Sequence, residues 1–64
     1  MMVNYSDKLK ELREELIISQ NELAKMLGVS FATVNRWENG HHEPTLKARR
    51  AIKELCKKNH IKWE

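Results

Sequence analysis

The sequence contains one cysteine and no long apolar segment, and both scarcities exclude classes of protein. Cys56 alone cannot form an intrachain disulfide, and no CxxC spacing exists to bind zinc. No apolar run is longer than Leu16-Ile17-Ile18, whereas a membrane helix needs about 20 such residues. The N-terminal segment has no charged stretch followed by an apolar core, so we expect no secretory signal. We therefore expect a reducing, cytoplasmic setting, with Cys56 packed or half-buried.

Repeats, low-complexity stretches and strand-like alternation are also missing from the 64 residues. A chain of this length predicts a single domain over 1–64, and its stability is expected to be modest because a short chain buries a smaller share of its surface. Hydrophobic residues make up 41% and charged residues 33%, which is typical of a small helical domain rather than of disorder.

Positive charge is distributed unevenly along the chain. Residues 1–40 carry five Lys/Arg against six Asp/Glu, whereas residues 41–64 carry seven against three. The basic excess could contact phosphates, but a solvated helix face has the same composition, so both interpretations stay open. Six of these seven basic residues lie in the predicted last helix: Lys47, Arg49, Arg50, Lys53, Lys57 and Lys58.

Helix-capping residues and apolar spacing predict helices at about 6–17, 20–27, 31–38 and 45–58. In the first helix, Ser6 is the predicted N-cap. Leu9, Leu12 and Leu16 form one apolar stripe, with Lys8 on the charged face. The predicted inward residues of the last helix are Ala48, Ile52 and Leu55, with Ala51 and Cys56 at the edges.

The second and third helices have clear start and stop signals. Ser19 and Glu22 form a predicted capping box, and Gly28 suits the left-handed residue that ends a helix. Ser30 is the predicted cap of the third helix, which Asn39-Gly40 ends in the same left-handed way. Thr45 then caps the last helix.

The stretch from Gln20 to Trp37 has the spacing of a helix-turn-helix. Two helices that cross over a short turn need a small residue at their contact, here Ala24, and a glycine in the turn, here Gly28. Val34 and Trp37 form the one inward stripe of the second helix of the pair. Its other side stays free to enter a major groove about 12 Å wide.

The segment SQNELAKMLGVSFATVNRWENG resembles the Cro/repressor-type helix-turn-helix family, also called the XRE family. With Leu12-Arg13 before it and Pro44 beyond, the resemblance covers roughly residues 6–55. It implies an all-α, lambda-repressor-like bundle of four or five short helices, with the helix-turn-helix at helices 2 and 3. Ile17 departs from the pattern because the family often has glycine there. A single helix after Gly40 replaces the usual two, so we expect the common dimerisation helix to be missing.

The resemblance also implies roles for individual residues. Phe31, Ala32 and Arg36 match base-facing positions, with Asn35 nearby, while Gln20 and Asn39 match phosphate contacts. Arg13 and Glu38 match a structural ion pair. Side-chain chemistry adds that Arg36 can pair with guanine and Asn35 with adenine, whereas Phe31 and Ala32 can contact a thymine methyl. The remaining predicted phosphate contacts are the hydroxyls of Ser30 and Thr33, and His41.

These features predict a sequence-specific transcriptional regulator, a repressor or a small controller, that binds double-stranded DNA. Where it forms a homodimer, a near-palindromic site is expected. The alternative is a protein-interaction module on the same fold, such as an antitoxin-like or accessory subunit that binds through the last helix and Trp63. Ile61 and Trp63 either pack back or serve a partner. No membrane or cofactor is expected. No metal is expected either, because the adjacent His41 and His42 lack further ligands. No residue constellation supports catalysis.

Overall fold

In the computed structural model, which describes residues 4–61, four helices account for most of the chain. The predicted all-α fold with a helix-turn-helix at the second and third helices is confirmed. Each helix lies within one residue of its predicted bounds. The helices are Tyr5–Leu16 (α1), Gln20–Leu27 (α2), Phe31–Glu38 (α3) and Leu46–Lys58 (α4).

The helix starts follow from short polar side chains that accept a backbone hydrogen bond. Ser19, Ser30 and Thr45 cap α2, α3 and α4 as predicted. The predicted cap of α1 is wrong, because Asn4 takes that position and accepts from the N–H of Asp7 at 3.3 Å. Ser6 lies inside the first turn, where its hydroxyl donates to the carbonyl of Glu38 instead.

The capping box of α2 is confirmed in both directions. The Glu22 N–H donates to Oγ of Ser19 at 3.1 Å, and the Ser19 N–H donates to Oε1 of Glu22 at 2.9 Å. Hydrogen bonding to the Glu22 carboxylate, from the Ser19 backbone first and then from the Ser19 side chain, holds the pKa of Glu22 below its usual value. The start of α2 is therefore fixed by contacts within four residues.

At the end of each of the four helices, a residue with positive φ follows the last turn. Gly28 and Gly40 take this conformation as predicted, at φ 73° and 75°. Ile17 and His60 take it at φ 54° and 59°, although a side chain is disfavoured there. Ile17 is 89% exposed, so α1 ends in a strained residue that packing does little to hold.

The core lies between all four helices and is apolar. Its buried members are Leu9, Leu12, Leu23, Ala24, Val34, Trp37, Ala48, Ile52 and Cys56. The prediction for α4 needs correction, because Cys56 is fully buried and Leu55 lies at the edge. Lys8 is also buried, at 7% exposure, and pairs with Glu11 at 3.1 Å. Burial raises the pKa of the Cys56 thiol.

The packing of the helices leaves one side of α3 uncovered. α3 packs against both α1 and α2, and α4 packs against α2. Ile61, just beyond α4, packs on the core, whereas Trp63 lies outside the described residues. Between residues 4 and 61, no helix combines the length and the hydrophobicity needed to cross a membrane.

Candidate nucleic-acid interface

The outer face of α3, defined by Phe31, Ala32 and Arg36, is the exposed surface of the helix-turn-helix. Phe31 is 50% exposed, and Ala32 and Arg36 are exposed as well. The inner side is closed, since Val34 is fully buried and Trp37 is 5% exposed. The structure thus brings three of the four predicted base-facing residues to one open surface.

Two hydroxyls lie at the start of α3. Oγ of Ser30 accepts from the N–H of Thr33 at 3.1 Å, and the two hydroxyl oxygens are 2.8 Å apart. Only one of the two hydroxyl hydrogens is needed for the bond between them. One hydroxyl hydrogen therefore stays available for an acceptor outside the protein.

A buried ion pair holds the C-terminal end of α3 against α1. Arg13 donates from Nε to Oε2 of Glu38 at 2.7 Å and from Nη2 to Oε1 at 2.8 Å. Glu38 is only 2% exposed, and the hydrogen bond to it raises the pKa of Arg13. Arg13 keeps 26% of its side chain exposed. This two-pronged geometry fixes the direction of α3 as well as its position.

Three amide side chains continue from the ion pair and form what we call the amide chain: Gln20, Asn35 and Asn39. Nε2 of Gln20 donates to Oε1 of Glu38 at 3.1 Å. Nδ2 of Asn35 donates to Oε1 of Gln20 at 3.2 Å, and Nδ2 of Asn39 donates to Oδ1 of Asn35 at 3.0 Å. Asn35 is half-buried and points along this chain, apart from the outer face of α3.

Sequence reasoning missed the amide chain as a unit. The spacing of Asn35 in α3 and Asn39 directly after it, four residues apart, is a signal for a side-chain contact. Gln20 joins them only because α2 crosses α3, and a separation of 15 residues gives no local sign of that contact.

The loop after α3 contributes a further polar edge. His41 is exposed, and its backbone N–H donates to the carbonyl of Arg36 at 3.0 Å. A cleft of about 220 Å³ separates the loop from α3 and is lined by Thr33, Arg36, Trp37, His42, Glu43 and Thr45. The Glu43 carboxylate lies 4.0 Å from Nη2 of Arg49, which offsets part of its negative charge.

Metal binding finds no support in the part of the chain that the structure describes. Within residues 4–61, no group of three or more His, Cys, Asp or Glu side chains is arranged to hold an ion. Apart from the Glu43 carboxylate, the exposed side chains of this surface are amide, hydroxyl, guanidinium, imidazole and apolar groups, which suit a polyanion with base edges.

An all-α domain whose second helix packs across an outward-facing third helix is a helix-turn-helix domain. The helix-turn-helix family model matches residues 9–63, and the chain belongs to the Cro/repressor-type (XRE) helix-turn-helix family of DNA-binding regulators. Over 50 residues, which make up 78% of the chain, the sequence is 42% identical to a protein of Archaeoglobus fulgidus named as a candidate HTH-type transcriptional regulatory protein. The chain spans only 16% of that relative. No solved structure matches it significantly.

Proposed function

We propose that this chain is the sequence-specific, double-stranded DNA-binding part of a transcriptional regulator, and that it represses transcription by covering its site. The observation that carries the proposal is the outer face of α3, which is exposed while the opposite side of the same helix is buried and ion-paired. A helix held rigidly from behind keeps its outward side chains in register with base edges.

In this proposal α3 lies in the major groove. Arg36 is the strongest candidate for direct readout, because its fork donates two hydrogen bonds to O6 and N7 of guanine. Phe31 and Ala32 contribute apolar contacts of the kind that a thymine methyl accepts. Specificity thus rests on one charged group among small and apolar neighbours.

Phosphates on either side of the groove are contacted by polar groups at the two ends of the helix-turn-helix. The proposed contacts are Gln20 at the start of α2, the hydroxyl pair of Ser30 and Thr33, and Asn39 and His41 after α3. Such contacts set orientation and register and carry no sequence information.

A homodimer would place two copies of α3 on a near-palindromic operator, with half-sites about 34 Å apart. Bound in this way, the protein would exclude polymerase from the covered DNA. Its action needs binding and no catalysis, and we propose that it takes place in the cytoplasm. The archaeal relative is named as a regulator of the same type, which supports this assignment.

The test is selection of binding sites from random duplexes, followed by measurement on Arg36→Ala. Loss of the arginine fork should remove about 1–3 kcal/mol of discrimination at a single base pair of the selected site. The matched control is Arg50→Ala, which removes the same charge from an exposed position on α4. It should weaken all duplexes alike and leave the preference unchanged.

Salt dependence separates DNA binding from the protein-interaction alternative. Affinity for the selected duplex should fall with salt, with a log–log slope of about −0.9 for each phosphate that a lysine or arginine neutralises. Unchanged base preference in Arg36→Ala would contradict its assigned readout. Absence of binding to any duplex would contradict the function as a whole and favour an antitoxin-like or accessory role.

A further inference from the structure

The direction of every hydrogen bond in the amide chain follows from one carboxylate. Glu38 is ion-paired with Arg13 and can only accept, so Gln20 must present its nitrogen to it. The Gln20 oxygen is then left to accept from Asn35, and the Asn35 oxygen to accept from Asn39. Chemistry alone therefore fixes which end of each amide is oxygen and which is nitrogen.

This arrangement uses one hydrogen of each amide nitrogen and leaves one over. A side-chain NH₂ has two hydrogens, and each nitrogen of the chain makes one of the three bonds described. The second amide hydrogens of Gln20 and Asn39 are thus available at the two ends of the amide chain. The oxygens of the inner pair, Gln20 and Asn35, each accept one hydrogen bond within the protein.

The bonds also strengthen one another. An amide whose oxygen accepts a hydrogen bond becomes a better donor at its nitrogen. Gln20 accepts from Asn35, which itself accepts from Asn39, so Gln20 lies where this polarisation accumulates.

We propose that Asn35 is a positioning residue, which aims Gln20 and Asn39 at two DNA phosphates and does not read a base. Pairing with adenine would need both ends of the Asn35 amide to turn toward the base, whereas its bonds to Gln20 and Asn39 hold both ends along the amide chain. The proposal rests on the DNA-binding function proposed above. Sequence specificity is then carried by Phe31, Ala32 and Arg36. Contact with the DNA backbone is made by the amide chain, which is anchored on Glu38.

The experiment measures affinities of Asn35→Ala for the selected duplex and for singly substituted duplexes. All should weaken together, by about tenfold, because misaimed amides lose charge-assisted bonds to phosphate. The salt slope should stay unchanged, since neutral amides release no counterions. Asn21→Ala is the matched control: Asn21 is an exposed amide beside Gln20, with no side-chain hydrogen bond recorded within residues 4–61, and its loss should change nothing.

A double-mutant cycle gives the readout that a merely structural role would not move. Gln20→Ala combined with Asn35→Ala should weaken binding less than the product of the single effects, by about threefold or more. Gln20 and Asn39 should be coupled in the same way, because each bonds to Asn35 and the link between them runs through it. If Asn35→Ala fails to fold, this second cycle replaces the first, because Asn39→Ala substitutes an exposed side chain.

Three results would overturn the proposal. Relaxed preference at one base pair in Asn35→Ala would make Asn35 a base contact. Multiplicative effects in both cycles would show that the amides act separately. A wild-type chain that binds no duplex would remove the proposed function itself, and it would be recognised before any variant is measured.

Discussion

The two faces of α3 differ in what fixes them. On the inner face Val34 is buried, Trp37 nearly so, and the Glu38 carboxylate has partners from α1 and α2. On the outer face Phe31 is half exposed, and Ala32 and Arg36 are exposed. The difference teaches that stability and recognition are carried by side chains of the same eight-residue helix that point in opposite directions. Substitutions should therefore separate the two properties cleanly.

The largest effect is expected from the inner face, with Arg13→Met. It leaves the Glu38 carboxylate buried without its cation, which costs about 3–5 kcal/mol. A domain of 64 residues has roughly 3–10 kcal/mol of stability in total, so most native structure should be lost. Urea unfolding followed by circular dichroism measures this.

The control for that change is Lys10→Met, which removes an exposed charge from the same helix. It should shift the free energy of unfolding by no more than about 0.5 kcal/mol. Equal losses in the two variants would mean that the ion pair contributes nothing beyond general charge balance.

A pair of truncations on α3 compares the faces directly. Val34→Ala opens a cavity in the core and should cost about 2 kcal/mol of stability. Phe31→Ala removes a larger side chain, yet should change stability by only about 0.5 kcal/mol because the ring is half exposed. DNA affinity should respond in the reverse order once corrected for the folded fraction. A large loss of stability in Phe31→Ala would make that ring part of the core.

A stabilising change strengthens the support behind α3 without touching its outer face. Ile17→Gly removes the strain of a left-handed isoleucine at the end of α1 and should add about 1 kcal/mol to the free energy of unfolding. Ile17→Ala keeps a Cβ in the same conformation and should gain far less. DNA affinity should stay constant in both variants, and a change there would show that the end of α1 contacts the duplex.

The smallest effect is expected from lowering the pH, which protonates Glu22 at the start of α2. The pKa of Glu22 is lowered in the folded state, so its contribution is present above its unfolded value near 4.5 and is lost as pH falls through the folded value. The stability difference between wild type and Glu22→Gln should therefore shrink between pH 7 and about pH 3. Thermal unfolding at the two pH values measures it, and a constant difference would argue against the capping bond.

Local features of the fold were predictable because their causes lie within a few residues. Ser19 with Glu22 and Gly28 mark the start and end of α2 through side-chain and backbone chemistry that needs no other part of the chain. The cap of α1 was misassigned because Asn4 and Ser6 are equally good cap residues in isolation. What decides between them is the carbonyl of Glu38, 32 residues away, which engages Ser6.

The residues of the candidate site were easier to predict than the hydrogen bonds that connect them. The family resemblance indicated Gln20, Asn35 and Asn39 one by one, with separate tasks. Their joining depends on how α2 crosses α3 and on a buried carboxylate that orients all three amides. The burial of Lys8 escaped prediction for a similar reason, since helical spacing does not show which neighbours cover a charged residue.

Cys56 gives this fold a built-in reporter of its own opening. The thiol is the only one in the chain, is fully buried, and has a raised pKa, so it should stay unreactive toward alkylating reagents while α4 is docked. Each labelling event then requires an excursion to an open state. With fast reclosing, the labelling rate gives the open population under native conditions, with and without DNA.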